Sequence, residues 1–274
     1  MYRIKTIKNI GKKEFLELIR YKDWIINMLI WPVIFPLLYI LSAVALAGKD
    51  GSGLKNFEAL TGTTDYKSFI LIGSMVYMWV NMTMWSFGTF LRQEQKKGTL
   101  ESLWICPIKK FDILLGGASI TVIRSALYVL VSLLEYKILY GTQFQGGILE
   151  WIVIFIVLLP GVIGIGAIFS CLVFWVKEAN VAVMLVRGLV MALCGISFPI
   201  IIMPNVLQGV SKCLSFTFGI EAARGIMING LGISGVKEDL IKCLLIGIIY
   251  IIIGRISFYF VERKVRVEGS LSRF

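Results

Sequence analysis

The chain has 274 residues, 57% of them hydrophobic and only 16% charged, with a mean hydropathy of +0.82. Soluble domains carry roughly 25% charged and about 45–50% apolar residues, so the composition excludes a water-soluble enzyme, a disordered chain and a disulfide scaffold, and points to an integral membrane protein. The net charge is +11 and there is no histidine, which removes the commonest general base and metal ligand.

Residues 1–23 form a candidate interfacial helix. Ile4, Ile7, Phe15, Leu18 and Ile19 fall on one face at helical spacing, while Lys5, Lys12, Lys13 and Arg20 fall elsewhere. Such a helix lies in the membrane surface, basic side toward lipid headgroups or a partner. The plainer alternative is a charged segment that only sets topology. Six apolar runs follow, at 24–47, 69–91, 113–134, 151–176, 181–203 and 240–260. Each is long enough to cross a bilayer as a helix of ~20 residues, and no open sheet survives in hydrocarbon. Ala45-Leu46-Ala47 resembles a signal cleavage site, but the run before it is longer than the ~7–15 residues of a signal h-region, so a retained first helix is expected. Five scattered cysteines (Cys106, Cys171, Cys194, Cys213 and Cys243) include no CxxC pair. They read as small residues of apolar runs, not as a framework or a metal site.

Lysine and arginine set the orientation. Seventeen fall in residues 1–23, in the loop after the second run, at Lys177 and in the tail; seven fall on the other side, at Lys49, Lys55, Lys67, Lys137, Lys212, Arg224 and Lys237. Both termini are therefore expected in the cytoplasm of a cell-membrane protein, as an even number of crossings requires. The positive charge is a topology signal, and no nucleic-acid partner is expected.

The loop at 92–110 has the features of a device. The second span runs on past Arg92, Glu94 and Lys97 to Gly98, a helix stop. Thr99 is a good N-cap and Glu101 sits in the first turn of a new short helix. Leu100, Leu103 and Trp104 make an apolar patch at i, i+3, i+4, and Pro107 ends the helix before Lys109 and Lys110 return the chain to the bilayer. The simpler reading is a turn resting on lipid.

The run Arg92, Glu94, Gly98-Thr99-Leu100-Glu101, Leu103 and Pro107, followed by Gly116, resembles the signature of ABC-2 type transporter permeases, the membrane subunits of ABC exporters. The resemblance covers nearly the whole chain: basic interfacial helix, six spans, this loop, and a proline-broken region between spans five and six. It implies that Thr99, Leu100, Glu101, Leu103 and Trp104 form a coupling helix that docks into a cleft on an ATP-hydrolysing subunit. The apolar patch would anchor that contact, and Glu101, Lys96 and Lys97 would fix its rim. The interfacial helix, with Lys5, Lys12, Lys13 and Phe15, would touch the same ATPase. No GxxxxGK[ST] run occurs in these 274 residues. ATP and Mg²⁺ are thus expected in a separate ATPase subunit, and no catalytic or metal-binding residue is assigned here. One six-span copy makes half a pathway, so a homodimer with two ATPases is expected.

In residues 197–239, Pro199 and Pro204 break the helix, and Glu221 and Arg224 stand at i, i+3. The resemblance implies two short helices that re-enter the outer leaflet; the plain reading is a surface amphipathic loop. The family often has a second proline near the middle of this stretch, where this chain has Leu214-Ser215-Phe216-Thr217. Arg187, Lys242 and Arg255 lie near span ends and can snorkel. Arg124 is mid-span and must face protein or water; it, Asn81, Glu221 and Arg224 belong either to the pathway or to packing. Gly161, Gly164 and Gly166 invite close approach of a neighbouring helix. The expected architecture is one all-α integral membrane domain over 1–274, with six transmembrane helices, the interfacial helix and the re-entrant helices. An ion-gradient-driven secondary transporter is the rival, disfavoured because no Asp or Glu sits mid-membrane.

Overall fold

A computed structural model of the chain describes residues 2–46, 52–172 and 179–268. Its helices in chain order are α1 (Tyr2–Arg20), α2 (Asp23–Leu46), α3 (Ser52–Thr61), α4 (Tyr66–Lys96), α5 (Leu100–Ile105), α6 (Lys110–Tyr140), α7 (Ile148–Leu172), α8 (Ala179–Leu193), α9 (Asn205–Lys212), α10 (Ser215–Met227) and α11 (Lys237–Glu268), with a 3-10 turn at Ile200–Ile202 before α9. There is no strand among the described residues. Lys49, Lys177 and Arg273 of the charge count, and residues 47 and 173–176 of the predicted spans, lie outside the described residues.

Among the described residues, five helices are long and apolar enough to cross a membrane: α2, α4, α6, α7 and α11. They carry an apolar exterior, with Leu130, Leu134 and Ile138 of α6 and Ile249 and Ile252 of α11 all exposed. A surface of that kind belongs against lipid or protein, not water. α4 and α6 have 31 residues each, about 46 Å of helix against a hydrocarbon core of ~30 Å. Each therefore projects beyond it.

α4 is the hub, packed against α2, α6, α7, α8 and α10. Asp65 caps its start by accepting from the Ser68 backbone N–H at 3.0 Å. The α7–α11 contact is the most extensive between described helices. A Cβ on Gly164 would stand 2.5 Å from backbone atoms of Tyr250 and Ile251, and one on Gly254 would stand 2.8 Å from the Gly164 carbonyl. The expected glycine contact is thus real and two-sided, while Gly166 instead admits Phe87 of α4.

The apolar run 181–203 does not form one helix. α8 has 15 residues, and the chain then turns at Gly195, whose φ is +66°. A left-handed glycine just past a helix end, with a proline shortly after, is a helix stop, and counting apolar residues does not reveal it. Two short helices, α9 and α10, follow, the second starting at Ser215 without a proline.

One apolar cluster gathers Ile10 of α1, Phe90 and Leu91 of α4, Leu100 and Trp104 of α5, Ile113 and Leu114 of α6, Cys171 of α7, and Val261 and Val265 of α11. The first helix and the end of the last helix therefore lie at the same end of the bundle, beside α5.

Candidate coupling site

The α4–α5 junction is built by backbone hydrogen bonds. Gly98 has φ +71°; its N–H donates to the Gln95 carbonyl and the Thr99 N–H donates to the Glu94 carbonyl, both at 3.0 Å. This is the Schellman pattern, which satisfies the last carbonyls of α4. The Thr99 side chain does not cap α5, contrary to the expectation from sequence. Its hydroxyl turns back and donates to Glu94 Oε2 at 2.8 Å. At the other end, the buried Lys110 ammonium donates to the Cys106 carbonyl at 2.7 Å. α5 is thus tied by its start to α4 and by its end to α6.

The apolar patch divides between two roles. Leu100 and Trp104 are 2% and 8% exposed and belong to the cluster beneath α5, so they face the bundle. The i, i+3, i+4 spacing thus marks a face turned toward the bundle, although Trp104 also lines the groove beside Ile105. Leu103 is half-buried, while Glu101 and Ser102 are exposed and Ile105 is 84% exposed. Beside Ile105 opens a groove of about 560 Å³ that also reaches Pro107, Lys109, Arg255 and Glu262.

Glu94 is the residue that reading the sequence underrated. Its carboxylate is 1% exposed, at the end of α4. It takes the Lys13 ammonium of α1 at 2.5 Å and the Thr99 hydroxyl, with Lys97 at 3.8 Å. Lys97 in turn reaches Glu17 at 2.6 Å, so it is not a free rim charge. Farther along α1, Arg3 grips the buried Asp112 of α6 through two nitrogens, at 2.8 and 3.0 Å. Gly116 lets the helices meet, since a Cβ there would stand 2.8 Å from the Ile10 Cβ. Partly buried Glu14 has its carboxyl held above the ordinary range, by desolvation first and then by Glu17. α1 is therefore bolted to α4 and α6, with Lys5, Lys12 and Phe15 left on its exposed side. Long-range partners 81 and 109 residues apart give no local sequence signal.

The family model described as "ABC-2 family transporter protein" matches residues 50–256. The chain belongs to the ABC-2 transporter family. No curated protein matches it. It is a multi-pass membrane transport protein of the ABC-2 permease type, and the loop between α4 and α6 lies inside the matched region.

The remaining predicted residues of this ABC-2 permease lie in two other places. Arg224 of α10 is buried and does not pair with Glu221, which is exposed. Its guanidinium donates to the carbonyls of Ile196 at 2.6 Å and Phe69 at 3.1 Å, and lies over the Phe69 ring. It satisfies the carbonyl exposed where α8 breaks and ties that turn to the start of α4. Arg124 and Asn81 face a common cavity, and Arg187, read as a snorkelling residue, faces the same cavity.

Proposed function

We propose that this ABC-2 permease is the membrane subunit of an ATP-driven exporter, pairing with a second copy and with a separate ATPase that binds ATP and Mg²⁺. The observation that carries the reading is the double tether of α5. A short helix fixed through Glu94, Thr99 and Lys110 to two long helices passes a push on its exposed face directly into both. Closure of two ATPase subunits would then tilt α4 and α6 as rigid levers. The partner-facing residues in this version are Glu101, Ser102, Leu103 and Ile105, with Leu100 and Trp104 serving as the inner seat. α1 stiffens the same end and presents Lys5, Lys12 and Phe15 to the membrane surface or the ATPase.

Six crossings complete the topology, with both chain ends in the cytoplasm. Their support is the placement of α1 and the end of α11 on one end of the bundle, which calls for an even number. α8, whose described part is about 22 Å long, supplies the sixth crossing. Its far end reaches Arg224 and Phe69 through Ile196. α9 and α10 are the re-entrant pair of the outer leaflet, in a region where Arg224 answers the exposed carbonyls.

The test is purification of the chain from native membranes with its partners, followed by ATP hydrolysis measurements. A Walker-motif ATPase should copurify, and Glu101→Arg with Ile105→Asp should uncouple its hydrolysis from transport while leaving membrane insertion intact. A stable complex without any ATPase, or unaltered coupling in the variant, overturns the proposal.

A further inference from the structure

A cavity of about 510 Å³ lies between α2, α4, α6 and α8. Its polar lining is Asn27, Asn81, Arg124, Arg187 and the hydroxyls of Tyr77 and Tyr128, and three of the seven tryptophans of the chain, Trp24, Trp31 and Trp85, line it as well. No carboxylate among the described residues lines it. The acid whose charge bears on Arg124 is Glu14, which stands outside the lining on α1 and has Lys13 at 3.7 Å. Both guanidiniums are incompletely answered. The Nε atoms of Arg124 and Arg187, Oδ1 of Asn81 and the hydroxyl of Tyr128 are buried without a hydrogen-bond partner among the described residues. Arg187 lies over the Trp85 ring at 5.4 Å. Two arginines at membrane depth facing one space with no acid between them need water or an anion to balance them.

Depth selects the anion. Trp24 is in the first turn of α2, where the chain leaves α1. Phe35, which also lines the cavity, is eleven residues farther on, about 16 Å deeper. That is about half the hydrocarbon thickness, so the cavity runs from headgroup level toward the midplane. Trp24 marks the shallow end and Phe35, stacked on Tyr77, the deep end; Arg187, within reach of the Tyr77 hydroxyl and over the Trp85 ring, lies between them.

We propose that this cavity binds a phosphate-bearing anionic lipid of the leaflet on the α5 side. Arg124, Arg187 and the Tyr128 hydroxyl take the phosphate, and the first acyl carbons lie against Trp31 and Phe35. The proposal goes beyond the permease reading and needs no ATPase, so the two stand or fall separately.

The test uses the purified full-length chain in phosphatidylcholine vesicles containing a minor fraction of brominated lipid, read by tryptophan fluorescence. Brominated phosphatidylglycerol should quench at least about fivefold more per mole than brominated phosphatidylcholine, the preference expected of a single basic side chain. The preference should survive salt near 1 M, where the Debye length is about 3 Å and attraction to the exposed lysines of α1 is screened. It should fall to parity in Arg124→Gln/Arg187→Gln and return in Arg124→Lys/Arg187→Lys. Equal quenching by the two lipids in the wild-type chain overturns the proposal without any variant. So does loss of the preference in high salt, which would assign it to the helix surface. Competition by inorganic phosphate would make the ligand a soluble anion and overturn the lipid assignment; no competition supports it.

Discussion

Replacing Lys13 by Met should harm this protein more than neutralising its partner Glu94. The Lys13 side chain is 37% exposed, so an ammonium that loses Glu94 still reaches water or Glu17, 3.9 Å away. Glu94 has no such escape at 1% exposure; without Lys13 it keeps only the Thr99 hydroxyl and a distant Lys97. Breaking a buried pair costs about 3–5 kcal/mol when the remaining charge is fully stranded. The two remaining partners reduce that to about 2–3 kcal/mol for Lys13→Met. Glu94→Gln keeps an acceptor for Thr99 and strands nothing, so about 1–2 kcal/mol is expected. The double variant should then be more stable than Lys13→Met alone. The assay is a double-mutant cycle on unfolding of the purified chain in mild detergent. Additivity within about 0.5 kcal/mol, or a harmless Lys13→Met, would refute the claim that Glu94 organises this end of the bundle.

Three other outcomes follow from the same geometry. Gly164→Ala places a Cβ against the backbone of Tyr250 and Ile251, which neither helix can yield cheaply; a loss of about 1–3 kcal/mol should appear as a lower unfolding midpoint, whereas Gly188→Ala, in open space, should be near neutral. Arg224→Met strands the Ile196 and Phe69 carbonyls at an expected cost of about 2–4 kcal/mol, and Arg224→Lys should recover only part because an ammonium lacks the planar fork; full recovery would contradict the role given to that fork. Glu14 has a raised carboxyl pKa, chiefly from desolvation. The folded state therefore holds its proton more tightly than the unfolded one. Its contribution to stability is present in acid and is lost as pH rises from the ordinary carboxyl range through the raised value. Glu14→Gln should be more stable than wild type at neutral pH and should flatten that slope; an unchanged pH profile of the unfolding midpoint would count against it.

The limits of the sequence are visible at particular residues. Long apolar runs, the stop at Gly98 and the close-approach glycines of α7 are local patterns with one physical cause each, and they could be read directly. The inward direction of Leu100 and Trp104 could not, because helical spacing identifies a buried face without naming what covers it. The end of α8 hangs on the backbone conformation of a single residue, Gly195, inside an otherwise apolar run. Glu221 and Arg224 stand three apart on a helix and suggest a pair, yet Arg224 is claimed by carbonyls 28 and 155 residues away. Arg124 and Arg187 are likewise distant in sequence, and only the packing of α2, α4, α6 and α8 makes them neighbours of one cavity.

The measurement that bears most directly on the coupling role of α5 is photocrosslinking from Ile105, its most exposed apolar side chain. A photoreactive residue placed there in native membranes should capture a protein that carries a GxxxxGK[ST] phosphate loop, with a yield that changes when a non-hydrolysable ATP analogue is added. Capture of lipid alone, or of the ATPase only from probes on the opposite end of the bundle at α9, would contradict the account.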